Sequence, residues 1–272
     1  MARRRRRKSG ESAALILASV ILGVMSLGLL GGFVFLKVRA SSNPKLDAAT
    51  LCPVEGPNEI TAVLLDVTDP ISEPTALDLR NQFQELVSSV SVGGLIQVYA
   101  LTEQEGELGR TFSGCNPGNG ENVDEWTSNP RLAQDRWERG FQKPLNEISQ
   151  RIAEGTEAKQ SPIMAGIQKI NLEAFGAPQY RQIPKRLIIA SDMLEHTAAF
   201  SVYRDGADYA TFERSGARDQ FRTSLAGISV RILGFQRPGL KFDTVELAEF
   251  WTAWIGANGG QMERFTRLEG VR

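Results

Sequence analysis

Thr61-Ala62-Val63-Leu64-Leu65-Asp66 is an apolar run without polar–apolar alternation that ends in an acid. A strand with one wet face alternates; a strand covered on both faces does not, so this run reads as an inner strand of a parallel sheet. Arg186-Leu187-Ile188-Ile189-Ala190-Ser191-Asp192 repeats the pattern and again ends in an acid. Between and around these runs the apolar residues recur at helical spacing. Leu79, Phe83, Leu86, Val87 and Val90 form one such series, opened by Ser72 and Pro74 and stopped by Gly93-Gly94. Leu132, Trp137, Phe141, Leu145, Ile148 and Ile152 form another over 131–153, which Pro144 kinks or restarts. Ser161-Pro162 opens a further helix, and residues 207–225 read as helical.

Leu95–Leu101, Glu107–Cys115, Ser229–Phe235 and Met262–Leu268 read as the remaining strands. A helix between the last two carries Leu247, Phe250, Trp251, Trp254 and Ile255, with Asp243 and Glu246 spaced as a capping box. Its aromatic stripe reads as core. Strands alternating with helices imply an α/β fold, a doubly wound, mostly parallel open sheet flanked by helices.

Upstream of the sheet the chain changes character. Ala13–Leu36 holds 24 residues without a charge, about 36 Å as a helix against a hydrocarbon core of roughly 30 Å. Arg3-Arg4-Arg5-Arg6-Arg7-Lys8 precedes it, whereas only Lys37 and Arg39 follow closely. The positive-inside rule leaves the basic end in the cytoplasm and exports the rest. The expected organisation is a basic cytoplasmic tail at 1–12, a transmembrane helix at 13–36, a linker at 37–59 and an exported domain at 60–272. The alternative is a cleaved signal peptide with Val38-Arg39-Ala40 at the cut, but the apolar run exceeds the usual signal core. Gly28-x-x-x-Gly32 and Ser19-x-x-x-Gly23 are spacings that suit packing against a membrane-helix partner.

Beyond residue 40 the chain has 23 basic and 31 acidic residues, a net charge of −8. That balance gives no electrostatic attraction to nucleic acid. Cys52 and Cys115 are the two cysteines, and in an oxidising compartment they read as a disulfide; the alternative is two unpaired thiols. With one histidine, His196, they are too few for a common zinc site. No Asn-x-Ser/Thr triplet follows the span, which leans toward the bacterial periplasm or cell exterior.

In a sheet of this class ligands sit at the carboxyl ends of the strands. Asp66 and Asp192 end two strands there, Thr68 follows the first, and Ser161 stands in a loop between them. Such oxygens suit Mg2+ or a similar hard divalent ion. The pattern resembles the von Willebrand factor type A family. Asp66 and Thr68 match the first two positions of its Asp-x-Ser/Thr-x-Ser motif, Ser161 its later hydroxyl and Asp192 its last acid. The resemblance extends from about Glu59 to Leu268 and implies a metal-ion-dependent adhesion site at Asp66, Thr68, Ser161 and Asp192. Its cation is completed by a partner protein's carboxylate.

Two features depart from that pattern. Pro70 stands where the third motif residue supplies a hydroxyl, with Asp69 and Ser72 as substitute ligands. The chain also ends soon after its last strand, without the family's terminal helix.

Each of these residues has a plainer reading. Asp66 and Thr68 suit a strand-to-helix turn, and Ser72 and Ser161 suit helix caps. The sequence is compatible with three functions: a membrane-anchored recognition or scaffold subunit without enzyme activity, a metal-free structural domain, or an aspartate-nucleophile phosphatase. The phosphatase is the weakest, because Thr68 occupies its acid–base position.

Overall fold

A computed structural model describes residues 9–41, 44–68, 70–121, 123, 128–151, 158–235 and 242–268. Its sheet has six strands: β1 (Ile60–Asp66), β2 (Leu95–Leu101), β3 (Leu108–Cys115), β4 (Lys185–Ser191), β5 (Ile228–Gly234) and β6 (Gln261–Arg267). They lie in the order β3-β2-β1-β4-β5-β6, with only the edge strand β3 antiparallel to its neighbour. The expected doubly wound, mostly parallel sheet is therefore present.

The unbroken run in β1 has a direct explanation. Ile60, Ala62 and Leu64 point into one core and Val63 and Leu65 into a second on the opposite face, all nearly inaccessible to water. The second core is closed by α2 (Glu73–Ser89) and by Phe141 and Leu145 of the segment containing α3 (Pro130–Trp137) and α4 (Lys143–Arg151). The first is closed by α5 (Ile163–Ile170), three short helices, and α9 (Thr244–Ala257), whose Phe250, Trp251 and Trp254 are buried as expected. Gly166 lets α5 lie close on the sheet, because a Cβ there would stand 2.8 Å from Leu101 Cδ1.

Local chemistry accounts for the details. Pro144 has no N–H to give the preceding turn, and between α3 and α4 an i→i+5 turn over Glu138–Gln142 intervenes, with Lys143 N–H donating to the Glu138 carbonyl. Asp243 caps α9 by accepting from Val245 N–H at 3.0 Å. Residues 207–225 are not one helix. They hold α7 (Tyr209–Arg214) and α8 (Ala217–Gln220), preceded by α6 (Val202–Asp205). Gly206, at φ 79°, ends α6, and extended Ser215, at φ −87° and ψ 159°, ends α7.

The remaining helix, α1 (Ser9–Ser41), contains the span Leu15–Val38, with a mean hydropathy of 2.3 and none of it buried. Among the described residues it is the one helix long and apolar enough to cross a membrane. It runs past the bounds expected for it, into the segment expected as a linker. Residues 1–8, most of the expected basic tail, lie outside the described residues.

From Thr50 onward that linker is held against the domain. Cys52 is bonded to Cys115 as expected, at the end of β3. Cys115 N–H donates to the Thr50 carbonyl at 2.8 Å, Asn58 Nδ2 donates to the Val92 carbonyl at 2.8 Å, and Arg186 pairs with Glu59 at 3.3 Å.

Candidate functional site

The register β1–β4 pairs Leu65 with Ala190. The next residues along, Asp66 and Ser191, thus arrive together at the carboxyl edge. Asp66 is the hub of this edge. Its Oδ1 accepts from Thr68 N–H at 3.1 Å and Thr68 Oγ1 at 2.5 Å. Its Oδ2 accepts from Ser161 Oγ at 3.1 Å and Ser191 Oγ at 2.7 Å. Three hydroxyls, one local and two from distant segments, therefore converge on one carboxylate. Asp66, Thr68 and Ser191 are buried.

Ser161 is fixed from both sides by its backbone, which exchanges 3.0 Å hydrogen bonds with His196. Its side chain does not cap α5, the plainer reading, because the hydroxyl reaches Asp66 instead. The cap comes from Glu195. Glu195 Oε2 accepts from Met164 N–H at 2.8 Å, and the carboxyl is wholly buried. Burial pushes it well above the usual carboxylate range. The Met164 N–H opposes that push, while Glu105 and Asp66 add to it. Its Oε1 has no partner among the described residues.

Asp192 follows β4 and holds a turn by accepting from Leu194 N–H at 3.0 Å. The middle of that turn is Met193, with φ 63°, a left-handed conformation rare for a non-glycine residue. Three contacts hold it there. Ser191 Oγ accepts its N–H at 2.8 Å, Trp251 Nε1 donates to its carbonyl at 2.8 Å, and its side chain is buried in the first core. The turn therefore has the backbone of an Asp-Gly turn without the glycine. This is local strain held beside a candidate site, supplied by the surrounding structure.

Above these residues lies a pocket of about 340 Å3, whose wall includes Thr68, Lys159, Ser161, Asp192, His196 and Tyr203. Thr68, Ser161 and Asp192 face it, and Asp66 stands behind the two hydroxyls. All four residues expected as ligands are thus brought to one place. Ser72 belongs elsewhere: it caps α2, its hydroxyl accepting from Thr75 N–H at 3.3 Å. Asp69 lies outside the described residues.

Ser191 and Glu195 carry no functional signal of their own in the sequence. Ser191 becomes visible only once the β1–β4 register is known. An acid in the Met193-Leu194-Glu195 context carries no local signal of burial.

The donor set matches a hard cation. It offers carboxylate and hydroxyl oxygens, with no sulfur. Among the described residues no group of three His, Cys, Asp or Glu is placed to hold a metal ion, so a cation here would have to draw on the hydroxyls of Thr68 and Ser161 as well. Hydroxyls that donate to Asp66 still carry lone pairs for a cation in the pocket.

The sheet order, the antiparallel edge strand and the position of the site define a von Willebrand factor type A-like fold. No family model and no curated protein matches the chain. Among solved structures it is similar to proximal thread matrix protein 1 from the mussel byssus, at 16% identity over 72% of this chain and 41% of that one, TM-score 0.38. It is also similar to a von Willebrand factor type A protein from Catenulispora acidiphila, at 13% identity over 76% of this chain and 38% of that one, TM-score 0.42. For the conserved hypothetical protein BatB from Bacteroides thetaiotaomicron the values are 14%, 78%, 91% and 0.38. The chain spans about two fifths of the length of the first two. Similarities this low carry no functional argument, and the fold rests on the order and direction of the six strands.

Proposed function

We propose that the chain is a single-pass membrane-anchored recognition or scaffold subunit that binds a protein partner at the carboxyl edge of β1 and β4. The N-terminus faces the cytoplasm and the domain is exported to the periplasm or cell exterior. The arginine run before the span supports this orientation, and the disulfide suits an oxidising compartment. In this reading a divalent cation of the Mg2+ class is held by Thr68, Ser161 and Asp192, backed by Asp66. The cation offers a Lewis-acidic position to a partner's carboxylate. The chain's own residues fix that position, and no bond is made or broken.

The observation that carries the reading is the convergence of Thr68, Ser161 and Ser191 on Asp66 beneath a pocket that Asp192 also lines. One observation favours a metal-free scaffold instead. Both Asp66 oxygens already accept two protein hydrogen bonds each, so the edge is self-satisfied without an ion.

Thermal unfolding of the full chain in detergent micelles, with Mg2+, Mn2+ or chelator, separates the two. Occupancy at a hundred times Kd stabilises by about 2.7 kcal/mol, or roughly 5–11 °C for a domain of this size. The Asp192→Asn variant keeps the Leu194 hydrogen bond and should lose that rise. A melting temperature indifferent to millimolar metal would leave the metal-free scaffold.

A further inference from the structure

We propose that the free edge of β6 receives an extended segment of a protein partner, and that Arg264, with Arg231 behind it, selects a segment that carries an acid beside it. This surface lies at the end of the sheet, apart from the pocket at the carboxyl edge, and involves no metal.

β6 is the last strand of the sheet and pairs with β5 on one side. Among the described residues no strand pairs with its other side, where edge backbone groups can take a further strand.

The side chains that such a strand would meet are decided by the register. Ser229 pairs with Gln261 and Val230 with Met262. A regular ladder would next set Glu263 against Arg231, an acid against a cation. The register shifts there by one residue instead, and Arg264 stands opposite Arg231. The displaced Glu263 accepts from Ser229 Oγ at 2.9 Å. Residues in register point to one face of the sheet, on strands about 4.8 Å apart. The fold thus holds two like charges side by side, a destabilising arrangement, where the sequence offered an opposite pair.

No acid offsets this pair. Gln82 of α2 accepts from Arg231 Nη2 at 2.6 Å, which fixes that guanidinium on the α2 side of the sheet. Arg231, Glu263 and Arg264 enter none of the ion pairs formed among the described residues. Arg186, which is in register with Ser229, shows the contrast: Glu59 matches it at 3.3 Å.

The row of residues in register runs Ile188, Arg231, Arg264 and then reaches the edge. Ile188 is buried in the second core, and Arg264 is exposed. An acid in line with this row has to come from beyond β6. A strand added there places one side chain about 4.8 Å from Arg264 on the same face. An acid at that position pairs with Arg264, and a lysine adds a third like charge. On the opposite face Met262 and Phe265 are half-buried against the first core, so apolar residues flanking the acid find apolar neighbours. The segment that fits alternates acidic and apolar residues.

The test follows hydrogen exchange of the full chain in micelles with the peptide Thr-Val-Thr-Val-Glu-Val-Thr, or with lysine in place of its glutamate. The glutamate peptide is expected to slow exchange within Gln261–Arg267 saturably, and the lysine peptide to bind about tenfold more weakly. Arg264→Glu should reverse that preference, and Arg264→Ala should remove it. Unchanged exchange in β1 and β4 checks that each variant keeps its fold.

If neither peptide slows exchange in β6 at millimolar concentration, the edge is closed to strands and the proposal is overturned. Protection of Leu108–Cys115, the other edge strand, in place of β6 overturns the placement. Peptides that bind alike, or a preference that survives in both variants, overturn the role of Arg264.

Discussion

Glu195→Gln tests how the edge of the sheet is held together. Glu195 is inaccessible to water; one oxygen caps α5 through Met164 N–H, and the other has no partner among the described residues. Burial, reinforced by Glu105 and Asp66, raises its pKa well above the unfolded value of about 4.3. Between those two pKa values the folded protein keeps a proton that the unfolded chain has released. Stability therefore falls as pH rises through that window, with a slope approaching about 1.4 kcal/mol per pH unit for one proton.

Glutamine keeps the acceptor for Met164 N–H, places an amide where the partnerless oxygen stood, and carries no charge at any pH. The two proteins should be nearly equally stable at pH about 4, and the variant should gain on wild type with rising pH. Each kcal/mol corresponds to roughly 2–4 °C in melting temperature for a domain of this size. Urea unfolding of both full chains in micelles, repeated from acid to neutral pH, reads the difference directly. A difference independent of pH, or a glutamine variant weaker at neutral pH, would refute the reasoning.

The disulfide and the strained turn give two more predictions. Cys52 and Cys115 are 63 residues apart, so in the chain-entropy model Cys52→Ala with Cys115→Ala should cost about 4 kcal/mol, seen as a fall of roughly 8–16 °C in melting temperature; an unchanged melting temperature would mean that the remaining contacts of residues 44–59 suffice. At Met193 either truncation empties the same core space, a loss of about 2–5 kcal/mol. Because φ is 63° there, Met193→Gly should be more stable than Met193→Ala by about 1 kcal/mol, the reverse of the order in ordinary backbone. Urea midpoints of the two variants decide it.

Much of this architecture is legible in the sequence because burial on two faces leaves a distinctive mark. Val63 and Leu65 face one core and Ala62 and Leu64 the other, so β1 has no polar position to alternate with. The span is legible because a lipid environment excludes charge over a fixed length. The broken helices after β4 are not, because apolar spacing continues through Gly206 and Ser215 while the backbone does not. The site is legible only in part. Acids at strand ends announce Asp66 and Asp192, but Ser191 is recruited by inter-strand register, a long-range property. The Met193 turn is hidden because methionine rarely adopts its φ, and long-range contacts impose it: the bonds from Ser191 and Trp251 and the burial of its side chain in the first core.

The same convergence that points to a site also determines which variants can probe it. Asp66 joins β1, the loop before α5 and the end of β4 through hydroxyls, two of which belong to buried residues. Asp66→Ala would leave those hydroxyls without their acceptor, at about 1–3 kcal/mol for each buried group. A metal response lost in that variant would therefore report a loosened edge as readily as a lost ligand. Asp192 stands at the pocket wall, and asparagine preserves the carbonyl that Leu194 N–H requires. It removes the charge and leaves the hub intact. A cation effect that disappears in Asp192→Asn while the chelator-treated melting temperature stays at the wild-type value would separate ligation from architecture.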